Sequence, residues 1–491
     1  MSDDQPSGSG LVRLARNGAL NASADVLAKV CSLVFFALVA RRLGEDTLGH
    51  YVFALAITSL IWSFAGFGLD RLALRDIARD RAVMRSVAFP MAAMKAIAAA
   101  AAAAIVALVL AVGGENRESW SLVLILGGST ALGMATSTAQ TIFQAHERME
   151  YVFLTKVPWA LTSAVLGIAI ILNGGGIVSA TAISALGVSI VGTAWAWSLV
   201  HRHFGRPERG LRIREWPGLF GRAIPFSFQE MLGQVIFRFD TVLLAIIAAS
   251  AVVGAYGAAY RMLESTLFIA WSIGFAVMPM FSYLHSGPDG SLTHMFEGAL
   301  KLVLVLMAPI AAALFVCAPA VIDLVYGLPA YESSVEILRL LAPTVAIYSV
   351  GHIAGLLVLV RRRGRVTVTI SAVVAAVNIV ACAVLIPLIE ANGAAIATLI
   401  SEGLLAVLGL VLARRATGSQ RLMWVAGTPL LAAVAMGLAM WPVSDTLWLA
   451  LPIGAIVYVG VLLALEAHRL RDDIALFRSI SAHRPAEVFV P

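Results

Sequence analysis

The chain has 491 residues, 60% hydrophobic and only 13% charged, with a mean hydropathy of +0.89 and a formal net charge of +6. So much apolar surface exceeds what a water-soluble core absorbs, which excludes an ordinary soluble domain and points to a polytopic membrane protein. The basic excess is arginine spread over many loops without aromatic interleaving, a pattern that argues against nucleic acid as a partner.

Crossing a hydrocarbon layer of ~30 Å takes about 20 apolar residues, and about fourteen such runs follow one another. They cover 17–40, 48–69, 86–112, 119–143, 152–172, 177–200, 222–248, 251–283, 297–318, 334–360, 366–388, 392–413, 423–441 and 446–465. The connecting segments are short, leaving no room for an extramembrane catalytic domain. The first run is too long and too charged for a cleaved signal. It carries Asn21, Asp25 and Lys29 at every fourth position, which places an amide, an acid and an amine along one side of a helix. The third run holds Lys95 and the low-complexity stretch Ala98–Ala104, whose small residues favour close helix packing. Gln140 and Gln144 lie one turn apart in the fourth run. Lys156, Arg222 and Lys301 lie within a turn or two of span ends, where long cationic side chains reach the interface. Cys31, Cys317 and Cys382 fall inside apolar runs without metal or CxxC spacing and read as small buried hydrophobes.

Orientation follows from arginine placement. Counting alternate loops with the N-terminus inside gives about 24 arginines on the cytoplasmic side against about three outside, namely Arg41, Arg42 and Arg117. Both termini are therefore expected in the cytoplasm, with the protein in the cell (inner or plasma) membrane.

An internal repeat divides the chain. A shift of 205 positions aligns "LGHY" (48–51) with "VGAY" (253–256), and sets Asp25 on Glu230 and Lys29 on Gln234. A shift of 217 aligns "SATAIS" (179–184) with "IATLIS" (396–401). The expected fold is all-α: an N-terminal lobe at 1–200, a basic cytoplasmic linker at 201–219 and a C-terminal lobe at 220–418. An extra helix pair with a cytoplasmic tail occupies 419–491. Two pseudo-symmetric six-helix lobes related by an axis along the membrane normal are a common plan for alternating access, with the cavity between the lobes.

Charges deep in a membrane cost at least ~2.5–3.5 kcal/mol each and belong against a cavity or a partner. The deep cations are Lys29, Lys95, Arg238 and Arg261, and the deep acids are Asp25, Asp240, Glu264 and Glu402. Asp25 with Lys29, and Arg261 with Glu264, have helix-pair spacing, so pairing and cavity lining both stay open for them. Lys95 has no local partner in sequence, and Arg238 has only the poorly placed Asp240. Four cations suit a phosphate or pyrophosphate head group, while the acids could carry protons or a cation. Asn21, Glu230 and Gln234 add polar groups to the candidate cavity. Asn378 is central in its span, and His352 lies within "GHIAG" (351–355), a small-residue packing motif with a proton-handling histidine as the alternative. No phosphate-binding loop, zinc motif or nucleophile elbow is present, so no catalytic residue, metal site or cofactor is expected.

The segments "ARRLGEDTLGHYVFALAITSLI", "FGLDRLALRDIARDR", "RAIPFSFQEMLGQVIFRFDTVLLAIIAASAVVGAYGAAYRMLES", "VMPMFSYL", "LVYGLPAYESSVEILRLLAP" and "VNIVACAVLIPLIEANGAAIATLISE" occur in an order that resembles a known family. It is that of the polysaccharide-type (Wzx-like) flippases of the multidrug/oligosaccharidyl-lipid/polysaccharide (MOP) superfamily. The resemblance covers roughly 11–415. It implies two pseudo-symmetric bundles with an extra C-terminal helix pair, and movement of a polyprenyl-pyrophosphate-linked oligosaccharide from the inner to the outer leaflet. It also implies a cationic central cavity for the head group, a role that Lys29, Lys95, Arg238 and Arg261 fit by position and chemistry. Partners implied are the lipid-linked glycan, the bilayer, and a glycan polymerase or glycosyltransferases of the same pathway. Alternatives are a cation-coupled multidrug antiporter of the same superfamily, a lipid II flippase, a non-transporting scaffold for glycan assembly, and an integral-membrane glycosyltransferase or polymerase.

Overall fold

The computed structural model describes residues 8–205, 216–284, 291–361, 365–419 and 421–466. Every regular element among them is helical. In chain order these are α1 (Gly8–Gly66), α2 (Leu69–Arg79), α3 (Val83–Val112), α4 (Arg117–Ala145), α5 (Met149–Leu172) and α6 (Ile177–Thr181). A π-helical turn (Ala182–Gly187) leads into α7 (Val188–His203), followed by α8 (Trp216–Ile247), α9 (Ser250–Leu284), α10 (Ser291–Val316) and α11 (Ala318–Val325). The chain closes with α12 (Glu332–Arg361), α13 (Arg365–Thr417), α14 (Leu422–Met440) and α15 (Leu447–Glu466).

The two longest helices are each two limbs. Gly44 breaks α1 with φ 83°, a conformation that a side chain disfavours. Ile389 and Glu390 break α13, the latter at φ 46°. A second break at Phe67 and Gly68 turns α2 by 41° from α1. Among the described residues ten helices are long and apolar enough to cross a membrane, or eleven with that bent pair. Each of the fourteen expected runs falls on helix, and their count stays an expectation.

The helices are inside-out by the standard of soluble proteins. On α3 the small Ala99, Ala103 and Ala107 are buried, Ala103 against Gly127 of α4. Ile97, Ile105, Leu108 and Val109 face outward. With lipid as the solvent, large side chains gain nothing by hiding, and small ones let backbones approach. The protein is a multi-pass membrane protein.

Two compact units are built from the chain: residues 19–258 with 375–394, and residues 1–18 with 259–374 and 395–491. In the first, α2 buries Leu69, Leu72 and Ile77 against Met84, Met91 and Met94 of α3, Phe143 of α4 and Leu199 of α7. In the second, α14 and α15 pack on α10 through Ala432, Met436, Met440, Ala450 and Tyr458. Lys301 of α10 pairs with Glu466 of α15, which also accepts a hydrogen bond from Thr428 Oγ1 of α14 at 2.6 Å. The pair α14 and α15 is thus anchored on α10 by a buried charge as well as by packing.

Candidate functional site

The first unit contains a cavity of about 530 Å³ lined by α1, α4, α5, α6, the π turn and α7. Its walls combine aromatic planes, hydroxyls and one amine. Tyr51 meets Phe35 edge to face at 6.0 Å. The Trp62 indole lies on Gly133, where a Cβ would stand 2.8 Å from the ring, so a larger residue at 133 would displace it. Trp159 Nε1 donates to Ser189 Oγ at 3.3 Å, and Ser189 exchanges a 2.8 Å hydrogen bond with Ser129. Gln140 Nε2 donates to Thr155 Oγ1 at 3.3 Å, beside Lys156. The π turn sets Ser184 and Ala185 on this wall. Such a turn widens the helix locally and is frequent at functional sites. Among the described lining residues Lys156 is the one charged side chain, and there is no acid.

A buried ion pair stands behind the α4 wall. Lys95 is wholly buried and donates to Asp70 Oδ1 at 2.5 Å and to Ser137 Oγ at 2.8 Å. Ser137 donates to Asp70 Oδ2 at 2.9 Å and itself lines the cavity. The pair ties α2, turned inward at Gly68, to α3 and α4.

The residues singled out by sequence are distributed differently from the expectation. Lys95 has a partner after all, because the bend at Phe67–Gly68 carries Asp70 back to it from 25 positions away. Buried and paired behind the wall, it does not line this cavity, and the pairing corrects the reading of Lys95 as unpaired. Lys29 is half-buried on α1 next to cavity-lining Ala28 and is not itself a lining residue. The side chains of Asn21, Asp25 and Glu230 lie outside the described residues. In α8, Gln234 and Arg238 are half-buried and Asp240 is fully buried. Asp240 accepts from Tyr256 Oη at 2.5 Å and from the Thr241 backbone N–H at 2.6 Å. In the second unit Arg261 and Glu264 form the pair that their spacing allows, at 3.2 Å. Glu402 is buried. Arg222 and Lys301, read as reaching the interface, pair with Asp76 and Glu466.

Sequence reasoning missed Lys156 as a cavity residue, because its depth along span 5 reads as an interfacial position. A signal was present: Lys156, Trp159 and Ser163 recur at helical spacing and make one polar–aromatic face.

Two family models match the chain. One, described as a polysaccharide biosynthesis protein, matches residues 14–285, more than half of the sequence. The chain belongs to the polysaccharide biosynthesis protein family. The second model, the lipid II flippase MurJ, matches residues 209–455, again half the chain. Together they place this polysaccharide-type member among the MOP-superfamily flippases for lipid-linked cargo. The chain's fold is similar to that of a lipid II flippase MurJ in an inward closed conformation, with a TM-score of 0.75 at 15% identity over 92% of this chain and 98% of the other. It is also similar to an inward-facing multidrug resistance MATE family transporter of the MOP superfamily (TM-score 0.60, 14% identity, 82% and 96% coverage). A Vibrio cholerae MATE transporter matches at TM-score 0.57 and 16% identity over 86% and 100% of the two chains. No curated protein matches the family member in sequence. The family and the fold are those of flippases and transporters, and the resemblance read from motif order holds.

Proposed function

We propose that the protein moves a polyprenyl-pyrophosphate-linked oligosaccharide from the cytoplasmic to the outer leaflet by alternating access. Both termini lie in the cytoplasm. The observation that carries the reading is the lining of the first unit's cavity. Indole and phenol planes offer stacking surfaces for sugar rings, hydroxyls and an amide exchange hydrogen bonds with sugar hydroxyls, and Lys156 offers a cation for phosphate or a sugar carboxylate. Absence of an acid from the described lining disfavours a cationic drug as cargo. Lys29, Arg238 and Arg261 are further candidates for contact with the pyrophosphate along the transport path. A glycan polymerase or glycosyltransferases of the same pathway would supply and consume the cargo.

A second reading takes lipid II as the cargo, and the MurJ match over residues 209–455 favours it. Purified protein in proteoliposomes distinguishes the two. Translocation of a polyprenyl-pyrophosphate oligosaccharide without translocation of lipid II is the expected result. Transport of lipid II alone would select the second reading, and efflux of cationic dyes with neither lipid moved would select an antiporter.

A further inference from the structure

In the second unit, α12 and the second limb of α13 approach backbone to backbone. A Cβ on Gly351 would stand 3.3 Å from Ala406 N, and one on Gly409 3.1 Å from Ala354 Cβ. This is the close packing that the small residues of "GHIAG" allow. About one turn earlier on each helix it brings Tyr348 and Glu402 together. Tyr348 is 7% and Glu402 2% exposed. Trp271 of α9 donates Nε1–H to Tyr348 Oη at 2.6 Å, and the phenol ring stacks on His352 at 5.8 Å and 13°. His352 Nε2 in turn points at Gly274 of α9, where a Cβ would be 2.5 Å away. Glu402 Oε2, on the α13 side of this packing, is buried without a hydrogen-bond partner among the described residues.

An ionised carboxylate with an orphaned oxygen in the membrane interior is costly, and no described residue hydrogen-bonds that oxygen. Adding a proton removes the charge and turns one oxygen into a hydroxyl. We propose that Glu402 is a proton-binding site of the transporter, its carboxylate taking one proton from water to become the neutral acid, buried beside Tyr348 where α12 and α13 pack closely. A hard metal cation is a poorer fit, because it requires about six oxygen ligands. Among the described residues no three acids, histidines or cysteines gather in one place. The titratable groups that α12 turns toward this cluster are Tyr348 and His352, while α9 presents the Trp271 indole. The nearest charges along α9, Arg261 and Glu264, satisfy each other about two turns away. Proton binding stands on this cluster alone. That the bound proton energises transport rests on the function proposed above.

The test uses the full-length protein purified in detergent and dicyclohexylcarbodiimide, which adds to protonated carboxyls in apolar surroundings. Adducts are mapped by peptide mass spectrometry from about pH 5 to about pH 9, and thermal unfolding is followed over the same range. The expected result is an adduct on Glu402 that falls about tenfold per pH unit beyond its titration midpoint. Loss of that proton would leave an unpaired charge in the packed α12–α13 contact, so Tm should fall as the adduct yield falls. In Glu402→Gln, which imitates the neutral acid, this dependence should be lost while the fold is kept. An adduct yield independent of pH, or a Glu402→Gln protein whose Tm follows pH like the parent, overturns the site. Protection from the reagent by sodium at constant pH overturns it in favour of a metal cation. None of these readouts requires glycolipid transport, so failure of the transport reading and failure of the proton site are separately visible.

Discussion

Gly49 and Gly254, 205 positions apart and aligned with each other by the internal repeat, are in backbone contact. A Cβ on Gly254 would stand 2.2 Å from Glu45 O and 3.1 Å from Gly49 N, and one on Gly49 would stand 1.8 Å from Ser250 O. His50, between Ser119 Oγ at 2.7 Å and Ser250 Oγ at 3.5 Å, borders the same contact. Two short segments that a shift of 205 positions aligns in sequence are thus face to face.

Gly49→Ala and Gly254→Ala should each loosen this contact. The added methyl meets backbone atoms, which no rotamer change relieves, so the two helices must separate. The expected cost is about 1–3 kcal/mol, read as a lower Tm of the purified protein. A cysteine pair placed at Leu48 and Val253 should cross-link readily in the parent and poorly in either variant. Unchanged cross-linking would show that the contact is not shut by these glycines.

The pair Asp70–Lys95 predicts a non-additive mutant cycle. Lys95→Met leaves Asp70 and Ser137 facing an apolar side chain. The cost should fall at the lower end of ~3–5 kcal/mol, since the Asp70 side chain keeps 33% of its surface exposed. Adding Asp70→Leu should restore much of the loss. Thermal unfolding of the two single variants and the double variant measures the coupling, and simple additivity would deny it.

Lys156→Ala should weaken handling of an anionic glycolipid by roughly ten- to a hundredfold, the worth of one charge-assisted hydrogen bond. The change should appear in KM for translocation in proteoliposomes. Trp159→Ala should also raise KM, through loss of a stacking plane. Lys29→Ala should cost less than Lys156→Ala. The reverse order would move the head-group site out of this cavity.

Glu45 predicts a small pH effect beside the Gly49–Gly254 contact. Burial, and then the neighbouring Asp46, raise its carboxyl above the ordinary value of 4.5. The folded protein therefore holds this proton to higher pH than the unfolded chain does. The resulting stabilisation is complete below the unfolded value and disappears as pH rises through the raised folded value. Glu45→Gln should flatten Tm against pH over that interval, and an unaltered slope would assign the dependence to another group.

The membrane class, the helical fold and the family were legible in the sequence because each rests on patterns along the chain. Apolar runs of spanning length, the order of loose motifs and the repeat at 205 positions need no knowledge of which side of a helix faces which neighbour. Arg261 and Glu264 were equally legible as a pair, since i and i+3 are adjacent on any helix. Lys95 and Asp70 were not. Their contact exists because a 41° bend turns α2 back toward α3, and helix spacing carries no information about that turn.

Lys156 makes the same point in reverse. Depth along a span can be counted in sequence, but helix rotation is set by packing, and rotation decides whether a cation reaches lipid head groups or a cavity. What the sequence alone determined was membership: a membrane-spanning, helical flippase-family chain with charges kept in its interior. Tertiary structure decided how those charges are used. It placed Lys95 behind a wall with Asp70, Lys156 in the cavity, and Glu402 in a buried position with an oxygen unpartnered among the described residues. The physical reason is that solvation and pairing depend on what surrounds a side chain in three dimensions, and in a membrane those surroundings decide whether a charge is retained or neutralised.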